Sequence, residues 1–92
     1  MKEFSDINKN LEILAEECAE VIQIKSKIIR FGFLDRHPRT GIVNQMALHQ
    51  EIGDVLAMVD ILIYHKILSQ EHLVLAKEAK LKKLKEWYNH GS

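Results

Sequence analysis

The sequence predicts an all-α protein, with three main helices per chain assembling into a helical bundle through homo-oligomerisation. Three observations carry this. Apolar residues recur at helical spacing over long stretches, and no segment shows the alternation of a strand. The only proline and two of the four glycines cluster in one short stretch. Third, apolar residues occupy more than one face of the predicted helices, which a single chain of 92 residues cannot bury alone.

The first helix is expected from about residue 5 to Arg30, with Ser5 or Asp6 as N-cap and Gly32 as the stop. At about 100° per residue, Ile7, Leu11, Leu14, Cys18, Val21, Ile28 and Ile29 form an apolar stripe that should face a core. Residues 31–41 read as a loop. A second helix follows from about Val43 to Leu68, apolar nearly all round, with Leu48, Ile52, Val55, Val59 and Leu62 as its main stripe. Ser69 can cap a third helix that carries Glu71 in its first turn and runs to about Tyr88, ending before His90-Gly91-Ser92. The whole of 1–92 reads as one domain with its core at about 5–88.

Thirteen basic and thirteen acidic residues cancel, which argues against a nucleic-acid or membrane-surface binder driven by net charge. The N-terminus lacks the apolar run of a signal peptide. Val55 to Tyr64, the longest apolar run, is interrupted by Asp60 and too short to span a bilayer. A single cysteine excludes an internal disulfide; Cys18 on the apolar stripe reads as a buried thiol, and a soluble cytoplasmic protein is expected.

Two acidic clusters interrupt the apolar pattern: Glu16-Glu17-Cys18-Ala19-Glu20 and Glu51-Ile52-Gly53-Asp54. Glu17 and Glu20 lie at the edge of the first stripe, bracketed by Ile13 and Ile24. Glu51 and Asp54 lie beside the second, with Ala47, Met58 and Ile61 as neighbours. Ionised carboxylates held unpaired away from water cost several kcal/mol each, so such groups shift their pKa, pair with cations or bind metal. Spacing of i, i+3 puts two carboxylates on one helix face. Two such helices packed together would offer four carboxylates to Mg²⁺, with Mn²⁺ as substitute, since both prefer oxygen ligands. The competing reading is the polar side of an amphipathic helix.

Glu-Glu-x-x-Glu on one helix and Glu-x-x-Asp on the next, in Leu14-Ala15-Glu16-Glu17-Cys18-Ala19-Glu20-Val21 and Glu51-Ile52-Gly53-Asp54-Val55-Leu56, resemble a known family. They look like the two signature blocks of the MazG-like, all-α nucleoside triphosphate pyrophosphohydrolases, over roughly residues 10–85. The resemblance implies that Glu17, Glu20, Glu51 and Asp54 bind the metal. It also implies hydrolysis of a (deoxy)nucleoside triphosphate to monophosphate and pyrophosphate. Glu16, turned about 100° from Glu17, and Glu20 are the candidate catalytic acceptors of a proton from water. Only fifteen residues precede Glu16, so the N-terminal helix that covers the base in longer relatives is expected to be missing or reduced, and a neighbouring subunit in a homodimer or homotetramer to complete the site.

Phosphate contacts are assigned to Lys27, about two turns after Glu20, and to Lys80 and Lys83, i and i+3 on the third helix, where the family carries phosphate-contacting lysines. For the last two, a solvated basic helix end is the competing reading. Arg30, Arg36 and Arg39 flank or sit in the loop, and surface solvation is favoured for each. The five histidines show no paired metal spacing. Phe31, Phe33 and Trp87 read as core residues before base-stacking ones. Two alternatives stay open beside the leading function. One is a phosphoribosyl-ATP pyrophosphohydrolase, which normally carries a longer segment before the first block. The other is a non-catalytic helical nucleotide-binding or interaction module.

Overall fold

The computed structural model describes residues 1–90 and is all-helical, with α1 (Ile7–Phe31), α2 (Asn44–Tyr64) and α3 (Gln70–His90). No strand forms among the described residues, only an isolated antiparallel bridge between Arg36 and Val43. The expected end of α3 before His90 is one residue early, and Gly91 and Ser92 lie outside the described residues.

Local chemistry sets most of the helix ends. Asp6 caps α1, its carboxylate accepting the Lys9 N–H at 3.1 Å. Gly32 ends it at φ 93°, a conformation that a side chain would strain, and donates its N–H to the Ile28 carbonyl at 2.7 Å. The N-cap of α2 is Val43, which has no polar side chain to offer. Loop carbonyls substitute: Asp35 takes the Asn44 N–H and Phe33 the Gln45 N–H, both at 2.9 Å. The second helix stops at Tyr64 rather than Leu68. Lys66 turns left-handed at φ 62°, and the N–H groups of Ile67 and Leu68 both return to the Leu62 carbonyl. Ser69 then caps α3 by accepting the His72 N–H at 3.3 Å.

Helices α1 and α2 pack as a hairpin, whereas α3 makes no extended contact with either. The packed face of α1 runs through Asn10, Leu14, Glu17, Val21, Ile24 and Ile28, all buried or half-buried; that of α2 runs through Asn44, Leu48, Glu51, Val55, Met58 and Leu62. Both sets step by four and three residues, the spacing of a coiled-coil seam. The seam corrects the expected stripe. Leu11 and Ile29 are 44% and 73% exposed and Cys18 is exposed, because α1 docks along the edge that carries the acids. Phe31, Phe33 and Trp87, expected in the core, are also exposed.

The buried apolar side chains are Ile24, Met58 and Leu62. The two buried asparagines are hydrogen-bonded, Asn10 to the Phe4 carbonyl at 2.9 Å and Asn44 to the Gly32 carbonyl at 3.0 Å. With so little interior, the radius of gyration is 16.2 Å, where a compact domain of this length would have about 12 Å. The accessible surface is 7535 Å², against about 5500 Å² for a folded monomer of this mass.

Candidate metal centre

Glu17 and Glu51 occupy facing seam positions near the middle of the hairpin, and Asp54 follows Glu51 by one turn. One carboxylate oxygen from each of these three residues lies within 4.8 Å of the others. The heptad step that puts Leu14 and Val21 in the interface also delivers Glu17 there. Its partner Glu51 stands between Leu48 and Val55 for the same reason. Both glutamates are half-buried, whereas Asp54 is exposed.

No lysine or arginine among the described residues ion-pairs with these acids; the ion pair present joins the N-terminal ammonium to Glu3. The electrostatic consequence is visible in two of them. Partial loss of hydration pushes the Glu17 carboxyl above its ordinary range, followed by the charge of Asp54, a hydrogen bond shared with Asp54, and the charges of Glu51 and Glu20. Glu51 is raised by lost hydration first, then by Glu20 and Asp54. Three carboxylate oxygens close together with no counter-cation fit a hard divalent ion better than a soft one.

Glu20 stands outside the three-acid group but close enough to perturb Glu51. With Glu51 it lines an adjoining cavity of about 190 Å³. Lys27 lines the same cavity, together with His37, Thr40, Gln23 and Gln50. Glu16 is exposed and off the seam. Lys80 and Lys83 border a separate hollow on α3 with Leu84 and Trp87, and within one chain they are not brought to the acids.

Sequence reasoning passed over His37, Thr40, Gln23 and Gln50. Gln23 lies between Glu20 and Lys27 at helical spacing, so phase alone would have found it. His37 and Thr40 carry no such signal, because the loop's own hydrogen bonds fold them back. Among these are His37 N–H to Ile42 at 2.9 Å and the Arg36 guanidinium to the Gly41 carbonyl at 2.8 Å.

Searches of family models, curated proteins and solved structures return no significant match to this chain.

Proposed function

We propose that this chain is a MazG-like, Mg²⁺-dependent hydrolase that converts a (deoxy)nucleoside triphosphate to the monophosphate and pyrophosphate. The observation that carries the reading is the meeting of Glu17 and Glu51, at the middle of a seam flanked there by apolar residues, with the exposed Asp54 beside them, all within 4.8 Å. A seam that served packing alone would place aliphatic residues there, since like charges in an interface destabilise it. The acids therefore have a use that outweighs their cost.

In this proposal Glu17, Glu51 and Asp54 hold the metal, with Glu20 as a fourth ligand or as the acceptor of the proton lost by attacking water. Bound there, Mg²⁺ would neutralise phosphate charge and make water a stronger acid. Glu16, exposed as it is, is the weaker candidate for the proton. Lys27 lines the cavity with Glu20 and Glu51 and suits a phosphate oxygen.

The working unit is proposed to be a homo-oligomer, a dimer or tetramer. The surface in excess of a folded monomer's is about 2000 Å², more than the roughly 800 Å² per partner that a standard interface buries. Ile22, Ile29, Leu56 and Leu81, each more than half exposed, supply apolar area for it. Lys80 and Lys83 would then enter a site from the α3 of a neighbouring copy.

The test is a panel of (d)NTPs incubated with Mg²⁺, with separate detection of pyrophosphate and orthophosphate. Pyrophosphate release that disappears in Glu17→Ala and Asp54→Ala is the expected result. Release that persists in either variant would place the metal elsewhere. An α3 that makes no extended contact with the hairpin, with Leu75, Leu81 and Trp87 exposed on it, favours a second reading, a helical interaction module. Absence of turnover by an assembled oligomer on every nucleotide would favour it.

A further inference from the structure

The cavity beside the acids is also lined by groups that have a hydrogen to donate. The ring of His37, half-buried, accepts two backbone N–H groups at Nδ1, from Arg39 at 3.1 Å and Thr40 at 3.3 Å. An Nδ1 that accepts must be bare, so the neutral ring carries its proton on Nε2 and is a donor there. The Thr40 hydroxyl accepts the Ile42 N–H at 3.2 Å, which leaves its own hydrogen to donate. Lys27, from α1, adds an ammonium without an ion-pair partner among the described residues. The same cavity is thus lined by the donors Lys27, His37 and Thr40 and by the acceptors Glu20 and Glu51.

We infer that Lys27 and His37, with Thr40 beside them, form an oxyanion subsite for one phosphate of a polyphosphate chain whose neighbouring phosphate reaches the acids. The inference rests on the hydrolase proposed above, and it adds the residues that fix the chain's direction along the cleft. A neutral ligand would leave the ammonium unmatched. An isolated anion would also meet the carboxylates that line the cavity, so a chain bridging donors to a cation among the acids suits the whole lining.

His37 has two separable tasks, and one substitution divides them. In His37→Asn the side-chain oxygen can take the place of Nδ1 as acceptor of the loop N–H groups, as in an Asx turn, but no donor reaches where Nε2 stands. Lys27→Met keeps the aliphatic stem on the exposed side of α1 and keeps the test open should the loop variant fold poorly.

Calorimetric titration of the full chain with inorganic pyrophosphate in Mg²⁺, with a triphosphate analogue carrying a methylene between the α and β phosphates, and with orthophosphate tests the assignment. Each substitution should weaken pyrophosphate and the analogue by about tenfold or more, the worth of a hydrogen bond to a charged group. Orthophosphate should bind more weakly than either, and the His37 Nε2 resonance should move on adding pyrophosphate. Wild-type affinity in both variants would reduce His37 to a loop staple and overturn the subsite. Orthophosphate binding as tight as pyrophosphate would make it a general anion site and overturn the polyphosphate assignment. These outcomes are independent of turnover. Binding through His37 without pyrophosphate release would sink the hydrolase reading and leave the subsite standing; release with unaltered binding in both variants would do the reverse.

Discussion

Asp54→Asn keeps the shape of a side chain while removing one charge from a cluster whose oxygen atoms lie within 4.8 Å of one another. Asp54 is exposed, so its repulsion with Glu51 is set by a dielectric close to that of water. Two unit charges at that separation in bulk water repel by about 0.9 kcal/mol, near the upper end of what exposed pairs deliver. Relieving this repulsion should raise the melting temperature of the metal-free protein by up to about 6 °C. The same change takes away a ligand. Mg²⁺ at about a hundred times its dissociation constant stabilises by about 2.7 kcal/mol, which is roughly 10–20 °C for a domain of this size. The variant should forgo most of that gain. Scanning calorimetry at pH 8 and one fixed protein concentration, with EDTA or with Mg²⁺, should therefore show the two melting curves exchanging order. A variant that melts below wild type in EDTA, or that gains as much from Mg²⁺, would refute the idea that these acids form a repelled cluster waiting for a cation.

Three further outcomes follow from the same features. Glu17 and Glu51 both hold protons more tightly when folded, chiefly through lost hydration and then through neighbouring carboxylates. Between the unfolded and folded pKa values the folded chain binds more protons, so metal-free stability is highest below this window, falls as pH rises through it and stays low above. Urea midpoints in EDTA that instead climbed with pH would contradict the shifts. Leu62, 1% exposed at the centre of a small core, should cost about 2.7–5 kcal/mol when cut to alanine, read by urea denaturation. The two glycines Gly32 and Gly53 have open space around an added Cβ but differ in backbone. Gly32→Ala, at φ 93°, should destabilise by about 1–3 kcal/mol, whereas Gly53→Ala, within α2, should stabilise by about 0.5–1 kcal/mol. Equal effects would contradict the contrast.

What could be read from the sequence was local. The Asp6 cap, the Gly32 stop and the Ser69 cap each depend on a few neighbouring residues, and each forms. That Glu51 and Asp54 share a face of α2 was readable too, because i, i+3 spacing fixes a helix face whatever the tertiary structure; the same spacing on α1 does not bring Glu20 into the group with Glu17. Which face of α1 would dock was not. Leu11, Cys18 and Ile29 form one edge of the expected stripe and Leu14, Val21 and Ile28 the other, and periodicity does not say which edge docks. The decision is made across the hairpin, in the packing of α1 on α2 that buries Ile24. The end of α2 was hidden for a related reason. Ile67 and Leu68 continue the apolar pattern, yet Lys66 takes a left-handed turn that no glycine or proline announces. His37 and Thr40 were invisible as site residues because a loop, not a period, brings them to the acids.

Asn44 stands at the first position of α2 and is bonded twice to the segment that leaves α1, through its side chain to Gly32 and through its backbone to Asp35. Seven residues, or about two turns, separate it from Glu51 on the same seam. It therefore acts as a register pin for the acids. If α2 slipped by one residue relative to that anchor, Glu51 would move about 1.5 Å along the helix and about 100° around it, out of reach of Glu17. The span between Asp35 and Asn44 can vary in length and sequence without that penalty, provided the two ends keep their bonds. A chain built this way can change what its loop presents to a ligand while the distance between its carboxylates stays fixed.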